Sequence, residues 1–458
     1  MNWCRVTTFT MVAFALSAVT TVAAQDEAVV VYPAPDGAPL ISEYRVEVNG
    51  KPVPVYLGSP VRFYGFCQFD VRGPVTVRVT TTLPLVNPRL IPERFQIAIS
   101  QEGNSVVFRL AHPCHITLLP DGGSPANALH LFANPPEENI PRPDDPSVIY
   151  FGPGIYKRDV VVEDGQTLYL AGGCILKGAV SLRGRNAQVR GRGIIDGSDW
   201  GHFERREVPL RITGPSTMVE GIVVRLSWRA GVYVSRTSDV VIKNVKVCAS
   251  RFANDDGITV SNGDNVRVSG CFVRTDDDCI ALKGYSADRR DVFACVFEDC
   301  QLWCDRARII LIGHETMVHH MRDIQFKNID ILRFSMTPFL IEPGELGTAG
   351  PNIVFENIRL IGWGDSQRPL IQIQPTVNRW MQLKKPGWVD GITLQNIEFV
   401  GRHGGPWVVI RGYDTAHTTR NVSVINLRVN GRPLQPEDPG VNVGEFTENV
   451  VIRPGESD

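Results

Sequence analysis

The sequence predicts an all-β chain, a right-handed parallel β-helix preceded by a small N-terminal β-sandwich. Three observations carry that expectation. A short apolar pattern returns at a nearly fixed period, a differently patterned run of hairpin signals precedes it, and the 42 glycines and 32 prolines among 458 residues accompany few amphipathic-helix patterns.

The repeat reads apolar, any, apolar, any, a small or amide residue, then apolar, any, apolar. It occupies residues 240–247, 266–273, 295–302, 324–331, 353–360, 392–399 and 422–429. Its turn residues, Asn244, Gly270, Asp299, Asn328, Asn357, Asn396 and Asn426, lie mostly 26 to 30 apart. Each copy is followed by a second apolar run, as at 258–260, 280–282, 309–312, 339–341, 370–373 and 408–410. Such short strands cannot bury an apolar face alone, but stacked on copies of themselves they make one continuous core. Val245, Cys271, Cys300, Ile329, Ile358, Ile397 and Leu427 are expected to form one inward ladder and the asparagines another. A β-propeller blade needs four strands in about 40 residues, more than this unit holds.

The helix is expected from about residue 141 to 458, its first strand near 148–156. Residues 25–140 differ, with hairpin signals Asn49-Gly50 and Gly103-Asn104 between alternating strands such as 75–79 and 106–110. They predict the sandwich, packed against the N-terminal end of the helix. The proline- and acid-rich stretch 133–146 is expected to link the two.

Residues 1–24 read as an export signal. Arg5 gives a positive start, 11–22 is an apolar run, and Val22-Ala23-Ala24 fits a cleavage site before Gln25. The expected product is a secreted or periplasmic monomer with no membrane segment. With 47 basic against 49 acidic residues there is no electrostatic footprint for nucleic acid. Removing Cys4 with the signal leaves nine cysteines, an odd number, and Cys248, Cys271 and Cys300 read as small buried hydrophobes. No metal-ligand spacing is present, so no metal or cofactor is expected.

Chemistry is expected where two consecutive copies place carboxylates just before the second strand. One reads Asn254-Asp255-Asp256-Gly257, the next Asp276-Asp277-Asp278-Cys279. Asp256 and Asp278 are 22 residues apart, one coil, so their backbones should lie about 4.8 Å from each other. Five aspartates on two rungs repel one another, which a fold has no reason to maintain. Crowding raises the pKa of at least one, and a protonated carboxyl beside ionised partners is what glycoside hydrolysis needs. The alternatives are solvated turn aspartates or a calcium site.

The order Asn254-x-Asp256-Gly257, then Asp277-Asp278-Cys279-Ile280-Ala281, resembles the polygalacturonases of glycoside hydrolase family 28. The dextranase and isopullulanase family 49 is similar too, pairing an N-terminal sandwich with the same helix. The resemblance implies an O-glycosyl hydrolase acting on a polysaccharide, pectic by the first family and an α-glucan by the second. It also implies inversion by single displacement, with Asp277 as general acid and Asp256 and Asp278 activating water. Asn254 and Asp255 would line the sugar site.

Two departures matter. That family carries Gly-His-Gly before the next strand, whereas here 304–308 stands there and His314 comes after the strand. Its uronate-binding Arg-Ile-Lys is missing; the comparable strand ends in Glu342, and Lys283 and Arg308 are the substitute carboxylate ligands. Trp228, one coil before Asn254, reads either as a stacking platform or as a buried shoulder, with Trp303 and Trp363 as weaker candidates. Segments 343–350 and 374–386 are expected to close the cleft. A calcium-dependent pectate-lyase-type enzyme and a non-catalytic carbohydrate-binding helix are the rival classes.

Overall fold

The computed structural model describes residues 28–122 and 124–455, so the export signal lies outside the described residues. From Val148 to Arg453 each coil supplies up to three strands. Ser238–Lys243, Lys246–Cys248 and Ile258–Ser261 are followed by Asp264–Ser269, Phe272–Thr275 and Ile280–Tyr285, each pairing in parallel with its counterpart. The third strands stack into an 11-stranded parallel sheet. Repeated parallel crossovers of this kind favour the right hand, and the architecture is the expected right-handed parallel β-helix.

The expected inward ladder is present: Val245, Cys271, Cys300, Ile329, Ile358, Ile397 and Leu427 all lie in the helix core. Phe297, Phe326 and Phe355 stack there with ring centroids 4.9 and 4.7 Å apart, matching the strand spacing. The asparagine ladder is not inward. Its members bend the chain between first and second strands with φ of 53° to 60°, the left-handed region that glycine and asparagine tolerate best. That bend turns the amides out of the core: Asn426 Nδ2 donates to Asn396 Oδ1 on the neighbouring coil at 2.9 Å, and Asn244 Nδ2 donates to Asn134 Oδ1 of the sandwich at 3.2 Å. Among the described residues all nine cysteines are free, with Cys271 and Cys300 in the core.

Ahead of the helix, a five-stranded and a six-stranded sheet enclose their own core, which includes Val46, Val77 and Phe108 facing Phe69, Leu118 and Leu131. The last sandwich strand is Leu129–Asn134, so Ala133 and Asn134 belong to it rather than to the linker. The sandwich also lies along the flank of the helix, not at its end. The reason is a column of outward apolar residues on the second strands: Ile175, Ile194, Val223 and Phe272, all buried under Phe66 and Phe132 of the six-stranded sheet. Left in water, that column would expose an apolar patch, interrupted between Val223 and Phe272 by Lys246, which is buried and donates to the Gly221 carbonyl at 3.2 Å. Other charged residues in the same interface are paired, as Arg192 with Asp70 (2.8 Å), Arg225 with Asp196 (2.9 Å) and Arg274 with Asp305 (2.9 Å).

Candidate active site

The two aspartate-bearing turns enter the 11-stranded sheet one coil apart. Ile258 pairs with Ile280 and Ile280 with Ile310, so Asp256, Asp278 and Arg308 hold equivalent positions, two residues before the strand. The Gly257 N–H donates to the Asp278 carbonyl at 2.8 Å. A Cβ on Gly257 would come within 2.4 Å of the Cys279 carbonyl oxygen, so the coils can approach here only over glycine.

Asp277 is fixed by the backbone around it. Its Oδ2 accepts the N–H of Asn254 at 2.7 Å and its Oδ1 that of Asp278 at 3.0 Å. Asn254 reaches this position with a φ of 69°. One carboxylate oxygen from each of Asp256, Asp277 and Asp278 lies within 4.8 Å of the other two. Two cations flank the trio. Lys283 Nζ stands 3.2 Å from Asp256 Oδ2, and Arg308 Nη1 3.6 Å from Asp278 Oδ1.

Burial and mutual repulsion govern the charge. Burial first, and then the neighbouring Asp277, push the Asp278 carboxyl up to about 8, with Arg308 pulling against them. Asp277 is raised too, by burial and then by Asp256. Burial disfavours the charge on Lys283, yet Asp256 and the other acidic neighbours hold its pKa well above the ordinary value. Asp277 and Asp278 thus retain a proton at neutral pH beside two fixed cations.

The expectation that all five aspartates serve no structural purpose fails for two of them. Asp255 is fully buried and accepts four backbone N–H groups, from Arg251 and Phe252 (2.6 and 3.2 Å) and from Asp276 and Asp277 (2.9 and 3.1 Å). It ties one turn to the next and has no oxygen left for a sugar. Asp276 points away to the sandwich, where its Oδ1 accepts Arg62 Nε at 2.9 Å. The sandwich grips the preceding turn as well: Ser59 Oγ donates to the Ser250 carbonyl at 2.9 Å and Tyr64 to that of Ala249 at 3.1 Å. The aspartate spacing alone held no sign of this division: Asp255 is spent on backbone N–H groups of its own and the next turn, and the partner of Asp276 is 214 residues away in sequence.

Trp228 takes the buried alternative. It is wholly inaccessible, its indole N–H donates to the Glu207 carbonyl at 2.6 Å, and its ring packs on Trp200, so it offers no face to a sugar. Trp303 is buried under the sandwich beside Arg274, and Trp363 donates to the Leu332 carbonyl on the same flank. His314 is buried with Nδ1 3.2 Å from Glu342 Oε2, and Glu342 Oε1 accepts Gln372 Nε2 (2.6 Å) and Gln374 Nε2 (2.9 Å). Neither residue of this pair lines the cleft described next.

A cleft of about 420 Å³ opens over Asn254, Asp256 and Lys283. Its walls add residues that motif reading missed: Arg211, Arg229, Tyr233, Tyr285, Glu315 and Trp380. Arg211 and Tyr233 are the middle, outward residues of three-letter apolar runs, and the repeat marked that position without assigning it a task. Trp380 comes from the segment expected to close the cleft, and Glu345 secures that segment by accepting the N–H groups of Gln382 (2.6 Å) and Leu383 (2.9 Å).

Residues 207–401 match the family model described as Glycosyl hydrolases family 28. Dex49A from Penicillium minioluteum is similar in structure, with a TM-score of 0.69 at 13% identity over 92% of this chain and 96% of that one. The Yersinia enterocolitica family 28 exopolygalacturonase matches with a TM-score of 0.49 at 16% identity, covering 94% of this chain and 96% of its own. Among the described residues no helix is long and apolar enough to cross a membrane. With its trio of carboxylates inside the matched segment, the chain resembles glycosyl hydrolase family 28 over residues 207–401, which supports a glycoside hydrolase.

Proposed function

We propose that the protein hydrolyses a pectic polysaccharide by single displacement, with Asp277, Asp256 and Asp278 carrying the reaction. The observation behind this reading is the trio itself, three carboxylates within 4.8 Å, two of them with raised pKa, of which Asp256 lines the cleft. Asp277 is the least buried of the three, so it delivers the shared proton to the leaving oxygen. Asp256 and Asp278, in register on adjacent coils, hold and deprotonate the attacking water. Lys283 and Arg308 keep those two carboxyls from losing function to mutual repulsion, and they occupy the flanks a divalent cation would otherwise balance.

The carboxylate oxygens are closer than the ~6.5–9.5 Å usual for an inverting pair, nearer the ~5–5.5 Å of retaining enzymes. The anomer formed first therefore tests the mechanism. Proton NMR of a fresh digest should show the inverted anomer, and the retained one would replace single displacement by a covalent intermediate.

An α-glucan is the second reading. Glu342 supports it, since it stands where the related family binds a uronate and would repel one. Reducing-sugar release from polygalacturonate, rhamnogalacturonan, dextran and pullulan separates the two. Release from a uronan supports the pectic reading, and release from dextran or pullulan alone supports the α-glucan one. Residues 1–24 support secretion, which fractionation of the expressing cells tests.

A further inference from the structure

Lys283 stands between two carboxylates of different coils. Its Nζ donates to Asp256 Oδ2 at 3.2 Å and lies 4.0 Å from Glu315 Oε2, and all three side chains are largely buried in the cleft wall. Also facing the ammonium are Tyr285 of its own strand and, farther off, Asp278, with Arg308 beyond it. An ammonium has three N–H donors, and among the described residues this one spends a single donor. Charge holds it more than a cage of hydrogen bonds does, so a small displacement carries it from one carboxylate to the other.

Glu315 is the less expected partner. Among the described residues its Oε2 has no hydrogen bond, is shut off from solvent, and has Lys283 as its one nearby cation. A buried carboxylate oxygen without a donor is costly unless a function uses it. The local fold places it there. Leu282 pairs with Ile312 and Gly284 with Thr316, so Gly313, His314 and Glu315 stand opposite Lys283 alone. Such a bulge re-aims side chains. Gly313 turns the chain with a φ of 136°, where a Cβ would come 2.5 Å from the Glu342 carbonyl oxygen. His314 is thereby directed to Glu342 and Glu315 to Lys283. Just beyond, the buried Glu345 accepts the Thr316 N–H at 3.0 Å and fixes the backbone that carries Glu315.

Asp256 Oδ2 also accepts Thr259 Oγ1 at 3.3 Å, which leaves Oδ1 to meet the water. Resting on the glycoside hydrolase reading, we infer that Glu315 is a second seat for the Lys283 ammonium, which moves onto it as Asp256 takes a proton from the attacking water. In that step a water O–H bond breaks, its proton passes to Asp256, and the water oxygen bonds the anomeric carbon. The glycosidic bond breaks, and its oxygen takes the proton of Asp277. Asp256 is then neutral, and without Glu315 the ammonium would be left buried and unpaired. With Glu315 the charge stays balanced, so Asp256 remains a competent base although a cation lies 3.2 Å from it. Glu315 is a positioning residue, acting through Lys283.

Two measurements on the full chain test this. The first is a crystal structure of Asp256→Asn, whose neutral amide stands in for the protonated carboxyl. Lys283 Nζ should there lie about 2.9 Å from a Glu315 oxygen. An ammonium that keeps its place beside the amide would overturn the second seat.

The second is kinetic, on the polysaccharide that the wild type degrades. Glu315→Gln leaves Asp256 with the whole cation, so kcat should fall about three- to tenfold and the acid limb of the pH profile should move down by about one pH unit. KM should barely change, and Glu315→Asp should restore part of the rate. A raised KM with kcat intact would make Glu315 a sugar ligand and overturn the second seat, as would unchanged kinetics. A lysine that moves in Asp256→Asn, in a protein whose wild type releases no sugar, would uphold the exchange and refute the hydrolase reading.

Discussion

The two outer faces of the helix both carry buried charge, and they treat it in opposite ways. On the flank under the sandwich, acids meet bases in close geometry: Arg274 bonds Asp305 at 2.9 Å while lying 4.3 Å from the Trp303 ring centre, and Arg225 bonds Asp196; the buried Lys246 there is held by the Gly221 carbonyl instead, at 3.2 Å. On the cleft side, Asp256, Asp277 and Asp278 face one another, with Lys283 and Arg308 offsetting only part of the repulsion. Burial is similar and arrangement is what differs. Buried charge that is fully paired holds a structure together, whereas buried charge crowded with its own sign stores a proton for chemistry.

The sharpest separation of the two faces is by activity. Asp277→Asn or Asp256→Asn should lower turnover by about 10²- to 10⁴-fold, the usual worth of a positioned acid or base, with little change in melting temperature. On the other face the effects exchange places. Arg274→Ala leaves Asp305 buried and unpaired, and should cost about 3–5 kcal/mol in a denaturant titration. If Asp277→Asn proved as destabilising as Arg274→Ala, the contrast between the faces would collapse.

The pH dependence of stability sharpens the comparison. The Asp278 carboxyl rises from 3.8 to about 8 on folding, so between those values the folded chain holds a proton that the unfolded chain has lost. Stability contributed by this group therefore falls as pH rises from about 4 to about 8. Asp278→Asn should flatten that slope, raising the melting temperature at pH 8 and leaving it unchanged at pH 3. The same proton sets an alkaline limit on activity, with turnover declining above about pH 8.

The smallest expected effect connects the faces. Arg62 reaches from the sandwich to Asp276, next in sequence to Asp277. Arg62→Ala should cost about 1 kcal/mol or less in stability, because the guanidinium is a third exposed, while lowering kcat more than it changes KM. Unchanged kinetics would confine Arg62 to a structural tie.

Much of this was legible in the sequence. The coil period, the inward ladder and the third-strand positions follow from alternation and spacing, because a solenoid repeats each contact in the next coil. The trio was legible as crowded like charge. What escaped depends on which way a turn side chain points. Asp255 and Asp276 look like their neighbours in sequence, and only the folded chain shows one spent on backbone N–H groups and the other on Arg62. Trp228 could have faced either way, since one indole in a turn carries no periodicity. The flank position of the sandwich was readable in principle from the outward apolar residues Ile175, Ile194, Val223 and Phe272, whose alternation breaks the usual polar-out rule.

The most direct test of the central claim compares wild type with Asp277→Asn on whichever polysaccharide the wild type degrades, reading reducing ends and the thermal melt of the same samples. Sugar release abolished with the melt preserved is the predicted result. A variant that still hydrolyses at the wild-type rate would contradict the assignment of chemistry to the aspartate trio.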